Sequence, residues 1–255
     1  MNYHELGEEM SQQQKWPEAV IAYREAIELN PNFSFSYHKL GQALAELKKW
    51  EEAVKAYQNS IKLNPDFPWS YHKLGEALTE LKRWEDAVEA YQKAIELNPD
   101  FPWSYHKLGE VLTKIKRWEK AVKAYQKAVE LNPNFPKSSE KLAEILSKLS
   151  RWEDAIEAYQ NLIDINPNSY SLYRNLWDIL LKVKTWEKAA NNYRDRLKSN
   201  PKSYWYYYQL GYALKQIGLI DEAIANYKKA IELKADLPWF HTDLADALLE
   251  KNQSE

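Results

Sequence analysis

Residues 68–101 read PWSYHKLGEALTELKRWEDAVEAYQKAIELNPDF, and residues 102–135 read PWSYHKLGEVLTKIKRWEKAVKAYQKAVELNPNF. The two stretches agree at 27 of 34 positions, and such self-similarity at a fixed period is the mark of a repeat architecture. Inside the first copy, Tyr71, Leu74, Gly75 and Leu78 fall at i, i+3, i+4 and i+7, one face of a 3.6-residue helix. Ala87, Val88, Tyr91, Ala94 and Ile95 form the apolar side of a second helix near residues 85–98. Pro68 and Pro102 suit a first helical turn, where a missing N–H costs nothing. Asn98-Pro99 ends the second helix, because proline disfavours a helical residue before it. Each copy therefore predicts two short antiparallel helices with one apolar face apiece.

Working outward, the same frame recurs along the chain. The residues Tyr3, Tyr37, Tyr71, Tyr105, Ser139, Tyr173, Tyr207 and His241 each precede by three an unbroken leucine series from Leu6 to Leu244. Alanines from Ala19 to Ala223 and tyrosines from Tyr23 to Tyr227 hold register, and each copy closes with Asn-Pro except the last, which has Lys234-Ala235. Trp16, Trp50, Trp84, Trp118, Trp152 and Trp186 recur at the inter-helix turn, with Ile220 in the last copy, and a packing role explains them.

The pattern Tyr-x-x-Leu-Gly-x-x-Leu, followed by Ala, Tyr, Ala and Pro at fixed offsets, resembles the tetratricopeptide repeat over nearly the whole chain. The resemblance implies an all-α, right-handed superhelical solenoid of 34-residue helix-turn-helix repeats. One array is expected, with repeats at 1–33, 34–67, 68–101, 102–135, 136–169, 170–203 and 204–237 and a capping helix at 238–252. That last helix mixes Asp243, Asp246 and Glu250 among apolar residues, whereas the first has no comparable cap, which suggests a segment of a longer protein. In the sixth repeat Trp177 stands at the small position and is expected to spread the helix pair or swing outward.

The bulk numbers exclude several classes of function. The 35 lysines and arginines nearly balance the 37 aspartates and glutamates, so no basic excess points to nucleic acid. The absence of cysteine removes disulfides, thiolate metal sites and thiol nucleophiles together. No signal peptide is visible, and no apolar run approaches the ~20 residues needed to span a bilayer. A cytoplasmic protein without membrane attachment is expected.

In the family, partners lie as extended peptides along the inner wall made by the first helix of each repeat, and its contact positions carry over here as ladders. The second position gives Phe35, Trp69, Trp103 and, further on, Trp205 and Trp239. The fifth gives His38, His72, His106 and Tyr208; the sixth gives Lys39, Lys73, Lys107, Asn175 and Gln209; the ninth gives Glu76, Glu110 and Tyr212. Aromatic plates at regular pitch suit binding anchors. Glutamates at the ninth position argue against the two-carboxylate clamp that grips chaperone tails.

His72 with Glu76 and His106 with Glu110 share helix faces four residues apart, but the repeat itself produces that spacing, so no metal and no cofactor are expected. Nor does any phosphate-binding glycine loop or nucleophile constellation stand outside the period, so no catalytic residue is assigned. The expected function is a non-catalytic protein–protein interaction scaffold holding an extended peptide or a partner helix in its concave groove, as a monomer or with weak end-to-end self-association. Two alternatives remain open: a substrate-recruiting segment of a larger bacterial transferase, and a self-assembling structural module.

Overall fold

The computed structural model describes residues 2–133, 135–166 and 169–254. Among them are fifteen α-helices and no strand. The chain divides into two compact units, Met1–Ser169 and Tyr170–Glu255. The N-terminal unit holds α1 (Tyr3–Gln12), α2 (Trp16–Leu29), α3 (Ser34–Glu46), α4 (Trp50–Leu63), α5 (Pro68–Glu80), α6 (Trp84–Leu97), α7 (Pro102–Lys114), α8 (Trp118–Leu131), α9 (Pro136–Lys148) and α10 (Trp152–Ile165). The C-terminal unit holds α11 (Tyr170–Val183), α12 (Trp186–Ser199), α13 (Tyr204–Gln216), α14 (Ile220–Leu233) and α15 (Pro238–Ser254). Among the described residues no helix is long and apolar enough to cross a membrane.

All the hairpins except α11–α12 close with the same turn. Lys82 and Arg83 donate their backbone N–H groups to the carbonyls of Thr79 and Leu78, which satisfies the last carbonyls of α5. The turn requires one residue in the left-handed region. Gln14, Lys48, Lys82, Lys116, Ser150 and Lys184 occupy it with φ between 51° and 59°, and Gly218 supplies it in the last hairpin. The turn after α11 is simpler, with Lys184 donating to Leu180. Between hairpins the chain is extended at Asn64, Asn98 and Asn132, and the next helix starts after Phe67, Phe101 or Phe135.

The core of each hairpin is a close approach of two helices. Tyr23, Tyr57, Tyr91, Tyr125, Tyr193 and Tyr227 are fully buried. A Cβ built on Gly75 would lie 2.7 Å from the Tyr91 ring, and the same holds within a few tenths of an ångström at Gly7, Gly41 and Gly109. Glycine stands there because the ring occupies the space of a side chain. Ala143 takes this place opposite Tyr159, which is also buried, so one methyl group can be accommodated by a small shift.

The ends differ from the middle. The first helix lacks the small apolar residue found at Ala43, Ala77 and Val111, and presents Glu9 instead, with Gln13 donating to it. At the other end α15 exposes Leu248 and Leu249, although Leu44, Leu78 and Leu112 at the place of Leu248 are buried by the second helix of their own hairpins. The outer side of α15 is thus less polar than its carboxylates suggest.

Candidate functional site

The repeat lines up chemically equivalent side chains along a trough in the N-terminal unit, with a cavity volume of about 690 Å³. One wall carries Lys39, Lys73 and Lys107; beside them stand Glu8, Gln42 and Glu76. The floor is made by Tyr23, Tyr57 and Tyr91, and Trp16 and Trp50 stand at the rim of the hairpin turns. These tyrosines and tryptophans were not assigned to the site from sequence. The signal was their phase: they recur at one place per repeat on the side where the two helices of a hairpin meet.

The charged ladder is internally paired. Lys73 donates to Glu76 at 2.6 Å and Lys107 to Glu110 at 2.8 Å. Burial works to raise the Glu76 carboxyl, but hydrogen bonds from His72 and Lys73 prevail and hold it at about 2. His106 and Lys107 hold Glu110 at about 2 against the opposing effect of burial. The second repeat breaks the series, because Gln42 replaces the glutamate and Lys39 reaches back to Glu8 at 3.4 Å. The Lys73–Glu76 and Lys107–Glu110 side chains are about one-third exposed, so their charged ends stay within reach of a ligand.

The histidines do not line the trough. His38, His72 and His106 are buried between consecutive repeats. Their Nδ1 atoms lie 3.0, 2.9 and 2.9 Å from the hydroxyls of Ser70, Ser104 and Ser138. Phe67, Phe101 and Phe135 close over the rings with centroids 5.1, 5.4 and 4.9 Å away. The physical reason is reach: the fifth residue of one first helix meets the third residue of the next, where the serine leaves room for a ring. His72 Nε2 is 3.3 Å from Glu76, an acceptor only, so this nitrogen carries the proton and Nδ1 accepts from Ser104. His38 has no such carboxylate, and burial, with Lys39 and Lys73 nearby, lowers it to about 4.

Serine, histidine and acid thus do meet, as Ser104–His72–Glu76 and Ser138–His106–Glu110. Sequence spacing concealed the combination, since the serine comes 32 residues after the histidine. The serine hydroxyls are sealed inside the inter-repeat contact, with Ser104 1% exposed, and no substrate carbonyl reaches them. Among the described residues no three histidine, cysteine or acidic side chains gather as a metal site.

The tryptophans expected as binding plates divide into two groups. Trp69 and Trp103 are 41% and 44% exposed, each with one edge against Phe101 or Phe135 at 4.6 and 4.4 Å. Phe35 is half-buried, with the Lys39 ammonium 5.1 Å above its ring. Trp239 is also exposed. Trp205, in contrast, is buried against Tyr173 with ring centroids 3.9 Å apart, and Tyr208 is buried on Phe240 at 4.4 Å. Both were read as groove-facing; bulky Tyr206 and Phe240 at the serine place draw these rings into the inter-helix packing instead. Gln209 is buried, Asn175 is exposed and Tyr212 is half-buried. Trp177 reaches the following hairpin, where it meets Tyr212 at 4.1 Å.

The family model described as TPR repeat matches residues 7–48, 41–81, 75–116 and 216–252, more than half of the sequence. Two further models described as Tetratricopeptide repeat match residues 102–135 and 124–157. This is a helical-hairpin repeat protein, and it belongs to the tetratricopeptide repeat family.

The search of curated proteins finds no match. Among solved structures, a MamA fragment from Desulfovibrio magneticus RS-1 is 21% identical with a TM-score of 0.61, covering 66% of this chain and 95% of its own. YrrB, described as a TPR protein with an unusual peptide-binding site, is 18% identical with a TM-score of 0.53, covering 91% and 98%. A tetratricopeptide repeat protein from Parabacteroides merdae is 15% identical with a TM-score of 0.60, covering 96% and 97%. These likenesses establish the shared fold.

Proposed function

We propose that the chain is a non-catalytic interaction scaffold whose N-terminal unit holds an extended segment of a partner polypeptide in its trough. The observation that carries this reading is the trough itself: one ammonium, one ninth-position polar group and one tyrosine recur at each repeat around an open volume of about 690 Å³. An extended chain presents alternating side chains and backbone amides at a regular rise, which matches a site of repeated donors and acceptors. The lysines and glutamates offer charge-assisted donors and acceptors to groups of the ligand. The peptide-binding site described for YrrB agrees with this use of the fold. The sealed serines speak against hydrolysis at the histidines.

A displayed random-peptide library selected on the purified chain tests the proposal. Selected peptides, resynthesised, are expected to lose at least about tenfold in affinity for a Lys39→Glu, Lys73→Glu, Lys107→Glu variant, in line with the loss of several charge-assisted contacts. A control with Lys93→Glu and Lys127→Glu, on exposed faces of second helices, is expected to bind as the parent does. Equal binding by all three proteins would move the site out of the trough.

A further inference from the structure

The second residue of each first helix in the N-terminal unit forms a line of its own beside the trough. Phe35, Trp69 and Trp103 hold it in three successive repeats, and none of them lines the trough. Trp69 and Trp103 stay more than two-fifths exposed, although each ring is fixed by two others. Phe101 meets Trp69 with planes 65° apart, and His72 stands edge-on to the same ring at 6.4 Å and 80°. Trp103 repeats this with Phe135 at 57° and with His106 at 6.2 Å and 85°. Phe35 is held by Phe67 at 6.1 Å and by His38, stacked at 5.9 Å. A ring that is already fixed loses little freedom when a ligand covers it. The three rings are therefore prearranged plates.

Their spacing follows from the join between repeats. His72 of α5 bonds directly to Ser104 of α7, so consecutive first helices are neighbours, with axes roughly 8–10 Å apart. One plate per helix sets the plates at about that pitch. An α-helix repeats a face every ~5.4 Å and an extended strand every ~6.7 Å, so neither puts consecutive turns on consecutive plates. Polyproline II turns once in three residues and rises about 9.3 Å per turn, which does. Its backbone makes no internal hydrogen bonds, so its carbonyls are open to donors. One helical turn beyond each plate stand Lys39, Lys73 and Lys107, with the Lys39 ammonium 5.1 Å above the Phe35 ring. These ammonium groups are donors beside a chain that lies on the plates.

The line ends on a cation. In the following repeat Lys137 takes the second place, exposed and in no ion pair among the described residues, Glu140 three residues on included. The sixth-place lysines differ, because Lys39, Lys73, Lys107 and Lys141 each pair with a glutamate. Three apolar plates and then an unpaired ammonium call for three apolar turns and then an acid. We propose that the line Phe35, Trp69, Trp103 and Lys137 receives a proline-rich segment of a partner polypeptide in the polyproline II conformation. Proline recurs there at every third residue, and a carboxylate follows one turn beyond the last. Such a segment is formed before it binds, and aromatic-lined surfaces take its rings. A neutral glycan also stacks on aromatic plates but offers no charge to Lys137. The line lies outside the trough, so the inference does not rest on a peptide being held there.

The test is fluorescence anisotropy with the full chain and fluorescein-labelled Pro-Ala-Ala-Pro-Ala-Ala-Pro-Ala-Ala-Glu, together with the same residues in reverse order. One of the two directions is expected to bind at least about tenfold more tightly than its counterpart with leucine at the proline places. Trp69→Ser and Trp103→Ser are each expected to weaken it about tenfold, and Trp103→Tyr, which keeps a plate, to weaken it much less. Lys137→Glu is expected to weaken the glutamate peptide about tenfold and to leave its glutamine counterpart unchanged. Ser171 and Lys137 already hold the second place in other repeats, so the serine variants are expected to melt as the parent does. Peptides selected on the trough are expected to bind the serine variants unchanged, which keeps failure of the plates apart from failure of the trough.

Equal binding of the proline and leucine peptides overturns the proposal, since the plates would then accept any apolar chain. So does proline-peptide binding that survives Trp69→Ser and Trp103→Ser together, or no binding in either direction. An unchanged affinity in Lys137→Glu overturns the placement of the carboxylate. Binding of a neutral β-1,4-glucan oligomer that the serine variants lose, with no peptide bound, assigns the plates to a glycan and overturns the peptide.

Discussion

The two units use one frame and join their repeats by opposite chemistry. In the N-terminal unit a buried imidazole reaches a buried serine in the next repeat, three times over with distances of 2.9–3.0 Å. In the C-terminal unit the same places hold Tyr208 and Phe240, and the join is ring on ring. The frame beneath is unchanged: Leu40, Ala53 and Tyr57 in one unit match Leu210, Ala223 and Tyr227 in the other, all buried. The intra-hairpin contact therefore sets the fold, while the contact between hairpins is free to vary. A directional hydrogen bond fixes register between repeats, and an aromatic stack fills volume without fixing donors and acceptors.

The largest effect that would expose this division comes from the shared frame. Gly75→Val puts branched carbons where a single Cβ already lies 2.7 Å from Tyr91, and is expected to cost upwards of about 3 kcal/mol. Hydrogen exchange followed along the chain should show lost protection centred on α5 and α6. Unchanged protection there would mean the close approach is not what holds the hairpin.

Acid separates the units next. His38 has a folded value of about 4 against about 6.5 unfolded, so the unfolded chain binds more protons between the two. Stability is therefore expected to fall by about 3 kcal/mol as pH drops from 6.5 to 4. Glu76 and Glu110, held at about 2, extend the loss as pH falls below 4.5. The C-terminal unit has Arg174, Tyr208 and Thr242 at the histidine place. Its exchange protection is expected to stay flat through the upper window, and His38→Gln should flatten that window in the N-terminal unit too.

Ser104→Ala is a smaller cut. It leaves the His72 Nδ1 acceptor buried without its donor, and is expected to cost about 1–2 kcal/mol. Chemical denaturation of parent and variant measures it, and a cost near zero would reduce the histidine–serine column to packing alone. The smallest effect is expected from Trp177→Ala, which restores a small residue opposite Tyr193 and should change stability by no more than about 0.5 kcal/mol. A loss of several times that amount would make the Trp177–Tyr212 contact part of the core.

The helices and their pairing were legible in the sequence, because a period that repeats Leu74, Gly75, Ala87 and Tyr91 can be satisfied only by packing those residues together. The direction of each ladder was less legible. Lys73 and Glu76 line the trough, whereas His72, one residue before Lys73, is buried between repeats. Adjacent helical positions differ by about 100°, so a single step in phase separates wall from interior. The serine series Ser70, Ser104 and Ser138 recurred as regularly as the histidines, and a small hydroxyl in an otherwise apolar column was the available clue to their pairing. Trp205 and Tyr208 were misplaced for another reason: their neighbours Tyr206 and Phe240 replaced serines, and the altered size changed which ring goes inside.

The hairpin turns have a consequence for how the protein can change over time. Six of them hold a non-glycine residue at φ between 51° and 59°. In that region a β-carbon crowds its own backbone at a cost of roughly 1 kcal/mol, which only Gly218 avoids. The array therefore stands below the stability its own geometry permits, and the deficit is divided into six separated and nearly independent steps. Glycine at any one turn would raise the tolerance of its hairpin to mutation elsewhere. The exposed ladders could then diverge repeat by repeat without putting the fold at risk.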